Sequence, residues 1–467
     1  MKPQGSLRPT FGLFTAVILI LSSIIGSGVY KKIVPMSETL MSPGLVLACW
    51  VLAGVVSMLG ALSAAEVSGL LAASGGQYVY FRKMYGQGLA FFFGWSCFAV
   101  IQSGSIASIS YVFAQSVNGL GELPRLSAEW EAFSLGGVVF PFQNIGVKAL
   151  AIALIWALTA LNYRGVRQGG LLSTVVTLTI VAGILSVVVA SLMSPQSSWE
   201  NLQTPATGFA ERQGGLFTPM FGAMLGAFFA YEGWNSISFI GGEIKDPRKN
   251  VPLALFFGML AVITVYLIAN FAYFYAMPID DIIAVGKQPN SIAAVAVMER
   301  LQGNGGRIFI SVLIVIGTLG CTNTTLLMAA RVYQAMARDG LFFPRAAYIH
   351  PEYNTPTRAL VMQAVWSSLL VLSGSFDQLT DMLIFASFIY YGANTFGVFI
   401  LRRRMPDAER PYRTPGYPFV PALFVIFCIV LVINTLYNQP REALMGLGLI
   451  LAGAPFFLYW RKRLPPQ

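Results

Sequence analysis

The chain has 467 residues, of which 56% are hydrophobic and only 11% charged, with a net charge of +10. A soluble domain carries about a quarter charged residues. That deficit, together with apolar runs of about 20 residues recurring along the chain, places it in a bilayer and argues against a soluble enzyme. The basic excess concentrates on one side of the expected spans, so it reads as membrane topology rather than as a nucleic-acid surface.

Taken in chain order, the apolar runs predict an all-α membrane protein with twelve spans. The first, Phe11–Val34, is interrupted at Ile25-Gly26-Ser27-Gly28. Two glycines around a serine, with β-branched neighbours, make a poor helix interior. An unpaired backbone group in hydrocarbon costs several kcal/mol, so a broken helix survives only where it lines a protein cavity. Unwinding frees amides at the start of the following half-helix, which carries partial positive charge and suits a carboxylate. The Ser27 and Gly28 amides are therefore assigned to a substrate carboxylate. Gly26 and Gly28 also fit a role in close helix packing.

The second span, Pro43–Leu70, carries Glu66 near its inner end, a candidate for a cytoplasmic gate paired with an inner-loop Arg or for a solvated carboxylate. The third is Leu89–Val117. The outer loop Asn118–Asn144 follows, then a short fourth span, Ile145–Leu161, starting near Lys148. The fifth is Gly169–Met193. The sixth, Leu216–Gly241, is interrupted at Tyr231-Glu232-Gly233-Trp234. An acid within a span marks a functional site by default, so Glu232 is a gate or coupling candidate. Carbonyls freed near Phe229, Ala230 and Gly233 offer a place for a substrate ammonium. Phe229 is placed as a lid over the ligand, with core packing as the alternative.

The seventh span, Pro252–Ala276, is expected to start at its proline, as the second starts at Pro43. The region Pro278–Gly306 contains Ser291–Arg300, read as a surface helix. The eighth span, Arg307–Ala330, holds Thr322, Asn323, Thr324 and Thr325, whose hydroxyls suit either a cation such as sodium or a bond to a neighbouring helix. Then come Ala359–Gly374, Met382–Leu401 with Tyr390 and Tyr391, Pro418–Tyr437 and Ala443–Trp460.

Breaks at corresponding positions of two halves are the sequence pointer to the binding site of a secondary transporter. Five spans per half is an odd number, so the halves enter the membrane from opposite sides. The expected organisation is a cytoplasmic N-tail (1–10), a first five-helix repeat (11–193), an inverted second repeat (216–401), two extra helices (418–460) and a cytoplasmic C-tail (461–467). The protein would be a multi-pass component of the cell (inner) membrane. The first span is too long for a removed signal peptide, and the tails leave no room for an attached soluble domain. All four cysteines fall inside spans and His350 is the only histidine. No disulfide-linked partner, metal or other cofactor is expected.

Five stretches carry a resemblance: Ile24-Ile25-Gly26-Ser27-Gly28-Val29, Ser74-Gly75-Gly76-Gln77-Tyr78, Phe229-Ala230-Tyr231-Glu232-Gly233-Trp234-Asn235, Ala337-Arg338-Asp339-Gly340 and Arg410-Pro411-Tyr412. With them the chain resembles the L-type amino acid transporter branch of the amino acid–polyamine–organocation superfamily. The resemblance implies a 5+5 inverted repeat with broken helices 1 and 6, moving amino acids by alternating access. It implies that Ser27 and Gly28 hold the carboxylate, that carbonyls of Ile25, Phe229 and Gly233 hold the amino group, and that Phe229 is the aromatic gate. Asn235 would steady the second break, and Tyr390 would face the substrate. Two departures stand out. The fifth span lacks the Lys that in many relatives bridges the first break, so coupling to sodium or protons stays open. Gln77 replaces a common acid. No cysteine in the outer loop matches the link to a heavy subunit, which points to a self-sufficient prokaryotic member. No cation and no second acid were read in the cavity-forming spans, so neutral amino acids are favoured over cationic substrates or polyamines. The competing readings are an ion-coupled symporter and an amino acid sensor.

Overall fold

A computed structural model describes residues 9–71, 75–135, 140–211, 215–287, 292–373 and 376–463; the side chains of 166–169, 376 and 377 fall outside it too. Ser74, Ser291, Gly374 and the ends of both tails therefore lie outside the described residues. Ten helices are long and apolar enough to cross a membrane, and Thr357–Ser373 is a shorter apolar one. The broken sixth span contributes Phe217–Tyr231 followed by tight turns of helix through Phe239.

Span 1 runs Leu13–Ile24, breaks, and resumes as Gly28–Lys31 and Ile33–Leu40. Span 2 (Pro43–Leu71) packs along span 7 (Pro247–Ala276), span 3 along span 8, and the two broken spans against each other. Spans 1 and 6, 2 and 7, and 3 and 8 are thus direct neighbours. Span 7 starts five residues earlier than expected: Pro247 occupies the first turn, where a missing N–H costs nothing, and Pro252 is accommodated inside the helix.

Span 8 differs most from expectation. Ala293–Arg338 is helical throughout except at Gly303, where φ is +61° and the axis kinks. The segment expected on the surface is instead buried through Ala293, Ala294, Val297 and Met298. Its apolar residues matched an amphipathic surface helix by period, but tertiary packing covers that face. Span 3 (Gln87–Leu120) contains a π-helical stretch, Cys97–Ile101. The carbonyls displaced there are taken up by Tyr333, which donates to Cys97 O at 3.2 Å, and by Trp366, which donates to Ala99 O at 3.0 Å. Such bulges cluster at functional sites.

The end of the bundle where the described chain begins is tied through a buried ion pair. Arg331 of span 8 donates to both carboxylate oxygens of Glu243, at 2.8 and 3.3 Å. Glu243 in turn accepts backbone bonds from Thr10 and Phe11, and Lys245 N returns one to Phe11 O. The entrance to span 1 and the exit of span 6 are thereby joined. Arg331→Met is expected to strand the Glu243 carboxylate and cost about 3–5 kcal/mol. The readout is the thermal unfolding midpoint in detergent, and an unchanged midpoint would show that the pair contributes nothing to stability.

Candidate functional site

The two breaks meet. A Cβ on Gly28 would lie 2.5 Å from Ala230 Cα, and a Cβ on Gly233 would lie 2.5 Å from Ser23 O. Gly233 also has φ of +112°, which favours glycine. Close packing is therefore a real part of the glycines' role. Gly26 faces span 8 instead, where a Cβ would lie 2.9 Å from Cys321 Sγ.

The freed backbone groups divide into two sets. The Ser27 and Gly28 amides make no backbone bond among the described residues, and Ser27 Oγ is buried without a partner there. Several carbonyls share hydroxyl donors. Tyr266 of span 7 places its hydroxyl 2.9 Å from Ile24 O and 3.0 Å from Ala230 O. Ser23 Oγ lies 3.2 Å from Gly233 O, and Glu232 N donates to Phe229 O. Of the carbonyls expected to take an ammonium, Phe229 O accepts a backbone bond, Ala230 O shares the single Tyr266 proton with Ile24 O, and Gly233 O competes for the Ser23 proton with Ile20 O, which is closer at 2.8 Å. Tyr266 was missed in the sequence; a tyrosine in the middle of an apolar span was the available signal.

A narrow cavity with room for about one water lies against the breaks, lined by Gly26, Ser27, Gly28, Phe229, Glu232 and Cys321 among others. A second of similar size is lined by Gln77, Gln102, Asn235, Ser236, Tyr390 and Tyr391 among others. The structure thus separates two groups of expected site residues. Ser27, Gly28, Phe229 and Glu232 share one cavity, whereas Asn235 and Tyr390 line the other. Tyr390 does not face the breaks: its hydroxyl sits 2.8 Å from Ser96 Oγ of span 3. Its neighbour Tyr391 donates to Glu232 Oε1 at 2.6 Å, with Ser387 Oγ at 3.4 Å. That carboxylate–phenol bond stands between the two cavities.

A cation also belongs to this region, contrary to expectation. Lys32 is only 3% exposed. Its ammonium lies 5.3 Å from the centre of the Phe229 ring and 3.0 Å from Thr380 Oγ1 of span 10. Counting Lys32 with the outer basic residues put it in solvent. The short second half of span 1 instead turns it inward, over the aromatic lid. Cation–ring attraction strengthens when water is excluded.

The span-8 polar run bonds helices together. Thr324 Oγ1 lies 2.8 Å from Ser22 Oγ and 2.6 Å from Ser173 Oγ, joining spans 1, 5 and 8. Asn323 accepts from Asn162 and donates to Ser173. Thr325 caps back onto Cys321 O, and Thr322 Oγ1 is buried without a partner among the described residues. Val176 and Ile180 of span 5 pack against Gly320 and Gly317 of span 8.

Glu66 is not a solvated carboxylate. It is buried, with Arg402 donating to both oxygens at 2.8 Å and Thr414 N at 2.7 Å; Arg410 Nε lies 3.4 Å away. Arg402 also stacks on Tyr417 at 3.8 Å. Burial, with a smaller contribution from Glu66, pushes the Tyr412 phenol up to about 12, so it stays neutral there. These contacts give the Arg410-Pro411-Tyr412 stretch its structural meaning. Asp339 likewise accepts from Arg82 and from Tyr78, the latter at 2.8 Å. Gly75 donates its amide to Phe239 O, and a Cβ on Gly76 would meet the Ser238 backbone, so this turn docks the inner part of span 6.

Comparison with known proteins agrees with this geometry. The family model for amino acid permeases matches residues 11–453. The serine/threonine exchanger SteT of Bacillus subtilis is 29% identical over 98% of both chains. The mouse large neutral amino acids transporter small subunit 2 is 28% identical over 98% of this chain and 82% of its own. The human cystine/glutamate transporter is 26% identical over 99% and 88%. With the family model covering nearly the whole sequence and two broken spans joined around one cavity, this chain belongs to the amino acid permease family.

Proposed function

We propose that the protein exchanges neutral amino acids across the cell membrane by alternating access, with both termini cytoplasmic and without a disulfide-linked heavy subunit. The observation that carries this reading is the narrow cavity where the two breaks meet. It presents the unbonded Ser27 and Gly28 amides and the buried Ser27 hydroxyl opposite the Glu232 carboxylate. An amino acid carboxylate is held at the start of the outer half of span 1. Its ammonium lies toward Ile25 O and Glu232. Tyr266, whose single hydroxyl proton is shared between a carbonyl of each break, links the two half-helices.

Substrate charge follows from the pair that flanks the cavity. Glu232 lines the cavity and Lys32 lies over the ring of Phe229, which lines it too, so both signs of charge are near the site and a substrate carrying one of each is favoured. Exchange without an ion is supported by the use of Thr324, Ser22 and Ser173 on one another. Closure on the inner side is assigned to Glu66 with Arg402 and Arg410, and on the outer side to Phe229 held by Lys32.

The test is uptake into proteoliposomes of labelled alanine, serine, leucine, glutamate and arginine, with and without internal amino acid, sodium or a proton gradient. Uptake of a neutral substrate that requires internal amino acid is expected. Concentrative uptake driven by an ion gradient would replace exchange with symport, and substrate binding without flux would identify a sensor.

Phe229→Ala is expected to lower the exchange rate at least ten-fold while the protein stays monodisperse; full activity would reduce Phe229 to packing. Lys32→Met is expected to raise the KM several-fold, because the lid loses the ammonium seated on its face. Glu232→Gln and Tyr391→Phe are both expected to slow exchange, and Glu232→Gln to flatten its pH dependence across the neutral range. An unaltered pH profile in Glu232→Gln would remove the acid from the transport cycle.

A further inference from the structure

The last span ends in Arg461, Lys462 and Arg463, and next to this basic end the surface is grooved rather than smooth. A larger cleft runs between Pro455, Phe456 and Trp460 on span 12 and Gly340 and Phe343 in the turn after span 8, ending at Arg463. A second cleft is lined by Pro455, Leu458, Tyr459, Lys462 and Arg463. Both clefts share Pro455, Tyr459 and Arg463, so the Tyr459 ring stands as a partition between them. Trp460 is buried beneath, whereas Tyr459 and Leu458 are about half exposed, at 50% and 56%. The Arg463 guanidinium lies 4.1 Å from the centre of the Tyr459 ring, where the two clefts converge.

This geometry calls for an occupant with two apolar chains joined at one negatively charged head. We propose that these clefts form a binding site for an anionic phospholipid, with one acyl chain on each side of Tyr459 and the phosphate on Lys462 and Arg463. The charge complementarity carries the assignment. Basic side chains at the end of a span attract anionic headgroups by about 1 kcal/mol each, while their stems lie along apolar surface. A single-chain or rigid polycyclic lipid would fill one cleft and leave the other empty. A zwitterionic headgroup would place a positive choline beside two cations. The site stands apart from the cavity between the breaks, and the turn after span 8 contributes one of its walls. That turn follows Asp339, which is tied to Arg82 and Tyr78, so bound lipid would buttress an inner contact between the two halves.

The test uses the full-length protein reconstituted in equal amounts of phosphatidylglycerol and phosphatidylcholine, extracted gently and weighed by native mass spectrometry. The wild type is expected to retain phosphatidylglycerol at least ten-fold over phosphatidylcholine. The K462A/R463A double variant is expected to lose most of that preference. A photoactivatable phosphatidylglycerol should cross-link to peptides containing Phe343 or Tyr459. Equal retention of the two lipids by the wild type, unchanged selectivity in the double variant, or cross-links confined to other spans would each overturn the proposal. These residues lie on the exposed rim, so monodispersity of the double variant checks that it folds.

Discussion

The structure depends on the direct contact between two interrupted helices. A break in hydrocarbon leaves backbone groups without partners, and each break here is repaired by the other. Ala230 packs on Gly28 and Ser23 O packs on Gly233, with Tyr266 hydrogen-bonded to a carbonyl from each side. Neither break is affordable alone. Around this contact several carbonyls share hydroxyl donors, while the amides of Ser27 and Gly28 make no backbone bond among the described residues.

The rest of the inner architecture serves to place and close that contact. Arg331 and Glu243 tie the exit of span 6 to span 8, and the backbone ladder from Thr10 and Phe11 adds the entrance of span 1 to the same knot. Any movement of one half-helix must carry the other. Glu66 with Arg402 and Arg410 forms a second knot between span 2 and the end of span 10. The buried Lys32 ammonium lies over the Phe229 ring and reaches span 10 through Thr380. These charged contacts sit within an apolar core that packs around them. Alternating access of this kind needs discrete contacts that can be exchanged, because a close-packed interior does not deform continuously.

The charged groups near the breaks each have a polar or aromatic partner. Glu232 bonded to Tyr391 separates the two small cavities, and Lys32 lies above the lid. In spans 1, 5 and 8 hydroxyls bond to hydroxyls, through Ser22, Ser173 and Thr324.

The sequence by itself determined what depends on local composition. The spans, the two breaks and the acids at Glu66 and Glu232 were all legible, because hydrocarbon penalises glycine pairs, unpaired backbone and charge so heavily that each stands out. The motifs Gly75-Gly76, Asp339 and Arg410-Pro411-Tyr412 were visible but had no role, since their partners lie far away along the chain. Tertiary structure alone decided the direction in which side chains point. It turned Lys32 inward, sent Tyr390 to the second cavity and put Tyr391 on Glu232. It buried the helix at Ala293–Met298 and brought Tyr266 to both breaks. A span's hydrophobicity fixes its depth in the membrane, but its rotation is set by the neighbours it packs against, and those contacts join residues hundreds of positions apart.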